Sequence, residues 1–287
     1  MDLQFWFTQV LNGVTLASLL FLVASGFTLI FGLMRISNLT HGVLYLLGGY
    51  LSLTIVRNGG SFLVGTVAAA VSMAVLGVLL ERFLLRQLRG QSLSEVLLTV
   101  GAGFIIADFC LMMWGGDPLT IPTPDVISGS VELFGVTYPR FRIVTFVVAA
   151  GLGVGLWFLQ YNTRLGAIVR AGVNDAEMVS ALGINLPLVL TGVFGLGAAM
   201  AGLAGSMGGS FLSLYRGADR DILLWGLVVV IVGGMGSLEG AVVGSLLVGL
   251  VDAFAKALVP DLAYFTQFGP MVIVLAIAPR GLFGRRQ

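Results

Sequence analysis

Few side chains in this chain of 287 residues are equipped for chemistry. His41 is the only histidine and Cys110 the only cysteine. That inventory excludes a metal site built on several histidines and a disulfide within the chain. No GxxxxGKS/T run is present, so there is no P-loop with which to hold ATP. GLGVG at 151–155 lies inside an apolar run and lacks the strand–turn–helix setting of a dinucleotide site. His41, beside Asn38 and Gly42, reads as a helix-terminus hydrogen-bonding residue rather than a catalyst. Two carboxylates fall within or near apolar runs, Asp108 in FIIADFCLMMW and Asp252. Asp252 has Lys256 at i+4 and reads as an ion pair. Asp108 has no local partner, which leaves two readings open: a wall residue of a polar pathway, or pairing with another helix.

The other polar feature is a segment, Tyr161 to Pro187, reading YNTRLGAIVRAGVNDAEMVSALGINLP between two long apolar runs. Asn174 followed by Glu177 resembles a capping box. Gly183 and Pro187 supply a stop signal. The pattern predicts a helix of about two turns over Asp175–Leu182, with Gly172 breaking it from a preceding helical stretch. On a helical wheel Arg170, Asn174 and Glu177 share one face, and Leu165, Ile168, Val169, Ala176 and Val179 the other. Such a helix suits an interfacial anchor and a docking element for a soluble partner equally well.

The elements that position these residues follow from composition. The chain is 57% hydrophobic and only 10% charged, with a mean hydropathy of +1.02, whereas a soluble domain is about a quarter charged. Apolar runs long enough to cross a bilayer are drawn at 10–33, 39–56, 61–80, 95–114, 141–160, 188–208, 221–236, 239–258 and 263–279. The expected fold is therefore all-α: a polytopic membrane bundle of eight to ten spans, nine as the working number, in one domain over 1–287. The segment near Asn38–Gly49 is a candidate broken helix, and 221–258 reads as two spans or a re-entrant pair. The start, MDLQFWFTQV, lacks a basic n-region and reads as part of a retained first span. A net charge of +1 offers no basic face for nucleic acid.

Placing 161–187 in the cytoplasm and alternating outward puts Arg35, Arg82, Arg86, Arg89, Arg164, Arg170, Arg280, Arg285 and Arg286 inside. Arg57, Arg140, Arg142, Arg216, Arg220 and Lys256 fall outside. The excess of basic residues inside gives an external amino terminus and a cytoplasmic carboxy terminus. The external loop at 115–140 carries Pro118, Pro122, Pro124 and Pro139 and reads as an ordered extended excursion. Gly197, Ala201, Gly205 and Gly209, and again Gly236, Gly240 and Gly244, recur every four residues and read as close-packing helix seams.

Five blocks in order resemble the permease subunits of ATP-binding cassette importers for branched-chain amino acids. They are the NGVTLASLLFLVASGFTLIFGLMRISNLTHGVLYLLGGYL block with Asn38, His41 and Gly42, then ERFLLRQLRG from Glu81 to Gly90, and RAGVNDAEMVSALGIN from Arg170 to Asn185. IVGGMGSLEGAVVGSLLVG from Ile231 and the ending APRGLFGRR complete the set. Asp175, Ala176 and Glu177 only approximate the EAA of the general importer signature, and Thr40 stands where Ala is usual. The resemblance implies a bacterial inner-membrane permease without an ATPase site of its own. Two cytoplasmic ATPases would carry ATP and Mg, a second permease (related or identical) would complete the pathway, and an external solute-binding protein would deliver the solute. It assigns ATPase docking to Arg170, Ala171, Gly172, Asn174, Asp175, Ala176, Glu177 and Gly183, and leaves Asn38, His41 and Asp108 as pathway candidates. Urea or a short amide is the alternative solute, and an ion-coupled secondary transporter the alternative mechanism.

Overall fold

The computed structural model describes residues 2–34 and 38–284. Its elements are almost all helices: α1 (Leu3–Met34), α2 (His41–Arg57), α3 (Phe62–Phe83), α4 (Ser92–Trp114), α5 (Arg140–Asn162), α6 (Arg164–Asn174), α7 (Ala176–Ala181), α8 (Leu186–Gly208), α9 (Ala218–Gly233), α10 (Leu238–Leu258), α11 (Ala263–Thr266) and α12 (Gly269–Ile277). Strands β1 (Ser130–Leu133) and β2 (Val136–Pro139) form an antiparallel hairpin in the 115–140 loop. The hairpin turns at Phe134 and Gly135, both with positive φ, as a two-residue primed turn requires.

Six of these helices, α1, α3, α4, α5, α8 and α10, are long and apolar enough to cross a membrane. α2 and α9, at 17 and 16 residues, fall short of that length. The last predicted span, 263–279, is divided into α11 and the nine-residue α12, with Phe268 and the N-terminal Pro270 at the join; a proline has no N–H to carry a helix through such a point.

The shortness of α2 has a structural origin. His41, its first residue, donates Nε2–H to the Val23 carbonyl of α1 at 3.0 Å. Val23 lies eleven residues before Met34, about 16 Å along the helix axis at 1.5 Å per residue. α2 therefore starts deep inside the bundle, and α9 starts beside it: a Cβ on Gly42 would lie 2.1 Å from the Asp219 carbonyl. The discontinuity expected near Asn38–Gly49 falls before His41, and α2 runs unbroken through Gly48 and Gly49. The 221–258 region is two helices, with α9 entered from a loop at 209–217 that dips into the bundle. Leu214 in that loop is buried and exchanges both backbone hydrogen bonds with Leu119, at 2.8 and 2.7 Å.

α1 is the axis. It packs against α5, α8, α9 and α10, and most of its length is buried, while α3, α4 and α5 expose apolar faces. Glycines make the tightest crossings. A Cβ on Gly205 would sit 1.9 Å from the Tyr45 carbonyl, and one on Gly233 would sit 2.1 Å from the Gly240 carbonyl. In a bilayer such backbone approaches stand in for the hydrophobic drive that lipid removes. Buried polar side chains are paired across helices. Ser206 of α8 bonds both Ser52 of α2 (2.8 Å) and Thr66 of α3 (2.7 Å), and buried Glu81 of α3 takes an ion pair from Arg89 and a hydrogen bond from Thr191 of α8. Asp252 is paired with Lys256 at 2.7 Å.

Helix connections sort by end. Gly32 meets Gly236, Tyr161 meets Glu239, and Leu282 and Phe283 bond the last carbonyls of α9, all at one end. Arg142 bonds Asn12, Tyr138 bonds Leu11, and Leu119 pairs with Leu214 at the other. α6 and α7 lie at the first end.

Candidate functional site

At that end the polar segment folds into two successive short helices. Thr163 caps α6 by accepting from Gly166 N at 3.2 Å. α6 then runs through Gly172 to Asn174, so the break falls two residues later than the glycine suggested. Gly172 instead serves packing, since a Cβ there would meet Leu186 Cδ1 at 2.9 Å. α7 is capped by Asp175, whose carboxylate accepts from Met178 N at 2.8 Å. The cap is thus one residue beyond the predicted Asn174; Asp175 has the extended backbone an N-cap needs, while Asn174 is helical. The side chains of Asn174 and Ala176 lie outside the described residues.

α7 ends on Gly183 at φ +79°. Gly183 N bonds Ser180 O at 3.0 Å and Ile184 N bonds Val179 O at 3.4 Å, the paired bonds of a Schellman stop. Asn185 starts α8 by accepting from Leu188 N, and Pro187 lies in the first turn of α8 rather than after a helix end.

The outward surface differs from the predicted wheel. Val179 is buried and Ile168 and Val169 are half-buried, but Leu165 is exposed. Ala171, Asp175 and Glu177 are exposed, whereas Arg170 is turned inward. Its guanidinium lies 5.3 Å from the centre of the Tyr161 ring, and the Tyr161 hydroxyl donates to Glu239 of α10 at 2.6 Å. The exposed end of α7 carries Met178 and Leu182, 59% and 72% exposed. These two were missed in the sequence, although their i, i+4 spacing marks one helix face.

The pathway candidates separate. Asn38 and His41 are buried at 1% and 0% exposure. The Asn38 carbonyl oxygen accepts from Thr40 N and Thr40 Oγ1, and His41 ties α2 to α1. Asp108, by contrast, is exposed on α4. Of the seam residues, Gly197 faces Ile30 and the Gly26 carbonyl of α1, Ala201 is fully buried, Gly205 faces α2, and Gly209 faces Ile121. Gly240 and Gly244 face α9, but Gly236 precedes α10 in a turn at φ +83° and abuts Gly32. Among the described residues no group of His, Cys, Asp and Glu is placed to hold a metal.

The described residues thus form a helical bundle with a capped two-helix projection at one end. Residues 9–275 match the family described as branched-chain amino acid transport system / permease component. The chain belongs to that family.

The permease is 30% identical to the high-affinity branched-chain amino acid transport system permease protein LivH of Escherichia coli (strain K12), over 98% of this chain and 96% of that one. It is 27% identical to the corresponding protein BraD of Pseudomonas aeruginosa, over 99% and 97%. A shorter match, 25% identical over 55% of the chain and 48% of the relative, is to the fructose import permease protein FrcC of Rhizobium meliloti. Among solved structures, PsaBC from Streptococcus pneumoniae in complex with Fab superposes with a TM-score of 0.53 at 11% identity, over 95% of this chain and 92% of that one. At that identity the likeness is one of fold. As a family member the permease is a multi-pass membrane transport subunit, and this reading is favoured over the urea and ion-coupled alternatives.

Proposed function

We propose that the permease forms half of the translocation pathway of an ATP-driven importer for branched-chain amino acids in a bacterial inner membrane. A second permease, related or identical, supplies the other half. Two cytoplasmic ATPases carry ATP and Mg and dock on α6 and α7, and an external solute-binding protein delivers the amino acid. The amino terminus is outside and the carboxy terminus inside, which puts the hairpin and the 209–217 loop on the side of the binding protein.

The observation that carries this reading is α7. Six residues are too few for a stable helix in water, yet α7 is capped at both ends and presents Met178, Leu182 and Glu177 away from the bundle. Exposed apolar side chains beside a carboxylate fit a partner protein's cleft better than solvent. Nucleotide does work on the permease only through different affinities for two conformations, and the preceding helix α6, keyed to α5 and α10 through Arg170 and Tyr161, is placed to carry that difference inward.

The test is copurification. Met178→Asp with Leu182→Asp should release the ATPases from a permease that stays membrane-inserted and paired with its partner. Glu177→Lys should weaken the complex in the same direction. Full retention of the ATPases in both variants would remove the docking role.

A further inference from the structure

The exposed face of α4 is not uniformly apolar. Phe104, Ile105, Phe109, Met112 and Met113 are exposed along it, and so is Asp108. α4 spans 23 residues, about 34 Å at 1.5 Å per residue, so Asp108 lies about 8 Å from its midpoint and within a hydrocarbon core about 30 Å thick. A second charge lies at similar depth. Arg220, in the first turn of α9, is exposed and holds its guanidinium 5.6 Å from the centre of the Phe104 ring. Phe104 is close to the midpoint of α4 and one turn from Asp108, so the two side chains share a helix face. Arg220 is at this depth because α9 starts inside the bundle beside Gly42.

An exposed acid and an exposed base at mid-membrane depth are poorly matched to lipid. Such groups face water-filled cavities or protein. Neither Asp108 nor Arg220 takes part in the ion pairs Glu81–Arg89 and Asp252–Lys256. Of the other charges on this turn, Asp221 accepts from the Tyr215 hydroxyl at 2.6 Å and Asp219 is half-buried against α2.

We propose that Asp108 and Arg220 are the contacts for the two ends of a zwitterionic amino acid on a water-accessible wall of the pathway, with Arg220 taking the carboxylate and Asp108 the ammonium. The exposed apolar residues between and around them, Phe104, Ile105 and Phe109, face the side chain of the solute. This deepens the importer reading and rests on it.

The test uses the complete importer in proteoliposomes, with leucine as the probe. In a Cys110→Ala background, Ile105→Cys, beside Asp108 on the exposed face, should react with a charged, water-soluble thiosulfonate, leucine present during ATP turnover should slow the reaction several-fold, and Asp108→Asn should lower leucine uptake several-fold. Arg220→Gln should lower leucine uptake by about tenfold to a hundredfold, the range for losing a charge-assisted hydrogen bond, with Arg220→Lys partly restoring it and ATPase subunits retained in both. No reaction at position 105, reaction insensitive to leucine, or normal uptake in Arg220→Gln or Asp108→Asn would each overturn the assignment. If the wild-type complex itself shows no ATP-dependent leucine uptake, the importer reading falls together with this site; if it does, only the site is at stake.

Discussion

The Tyr161 hydroxyl donates to the Glu239 carboxylate at 2.6 Å, joining the last turn of α5 to the first turn of α10. Arg170 of α6 packs over the same ring at 5.3 Å. α10 in turn crosses α1 at Gly249 and Gly13 and α9 at Gly240 and Gly233. Arg170, Tyr161 and Glu239 therefore form one link from α6 to α10, beside the direct packing of α6 on α1, α5 and α8. Tyr161→Phe keeps the ring under Arg170 and removes the bond to α10. A hydrogen bond to a charged group contributes about 1.5–3 kcal/mol. The variant should hydrolyse ATP at a near-normal rate while transporting several-fold less solute per ATP, measured in the reconstituted complex. An unchanged ratio of transport to hydrolysis would show that Tyr161 carries no coupling.

The α7 cap gives a second prediction. Asp175→Ala removes the acceptor for Met178 N, at a cost of about 1 kcal/mol, and the six-residue helix has little else to hold its first turn. Amide exchange at Met178 to Leu182 should accelerate about fivefold in the isolated permease, while Asp175→Asn should leave it near wild type. Equal protection in Asp175→Ala would mean that packing of Val179, not the cap, sets α7.

The seam gives a third. Gly205→Ala puts a methyl where the Tyr45 carbonyl already lies, 1.9 Å from the new carbon. Overpacking of this kind costs about 1–3 kcal/mol, so the melting temperature in detergent should fall by several degrees. Gly101→Ala on α4, where nothing lies within 4 Å, should leave it unchanged or raised, since alanine favours the helix. Matching shifts for the two variants would contradict the close α2–α8 crossing.

Much of this was legible from residue pattern. The long apolar runs placed α1, α3, α4, α5, α8 and α10 because helix length in a bilayer is set by its thickness. Lys256 four residues after Asp252 gave their ion pair because side chains at i and i+4 share a helix face. The small-residue spacing pointed to Gly205 and Gly240, but it also drew Gly236 into a helix, because periodicity does not reveal that a glycine sits at φ +83° in a turn. The cap of α7 was off by one for a similar reason: Asn174 and Asp175 are both good caps, and only the end of α6 decides between them. What the pattern could not show was long-range. The inward turn of Arg170 depends on Tyr161, and the mid-depth starts of α2 and α9 depend on contacts to α1 and to each other, with no signature in the local spacing.

The most direct test of the central claim is leucine uptake into proteoliposomes holding this permease with its partner permease and both ATPases, supplied with the external binding protein. Uptake should require ATP inside the ATPase-facing compartment, persist when proton and sodium gradients are collapsed, and be lost in Met178→Asp with Leu182→Asp. Uptake that survives without ATP and disappears with an ion gradient would contradict the claim outright.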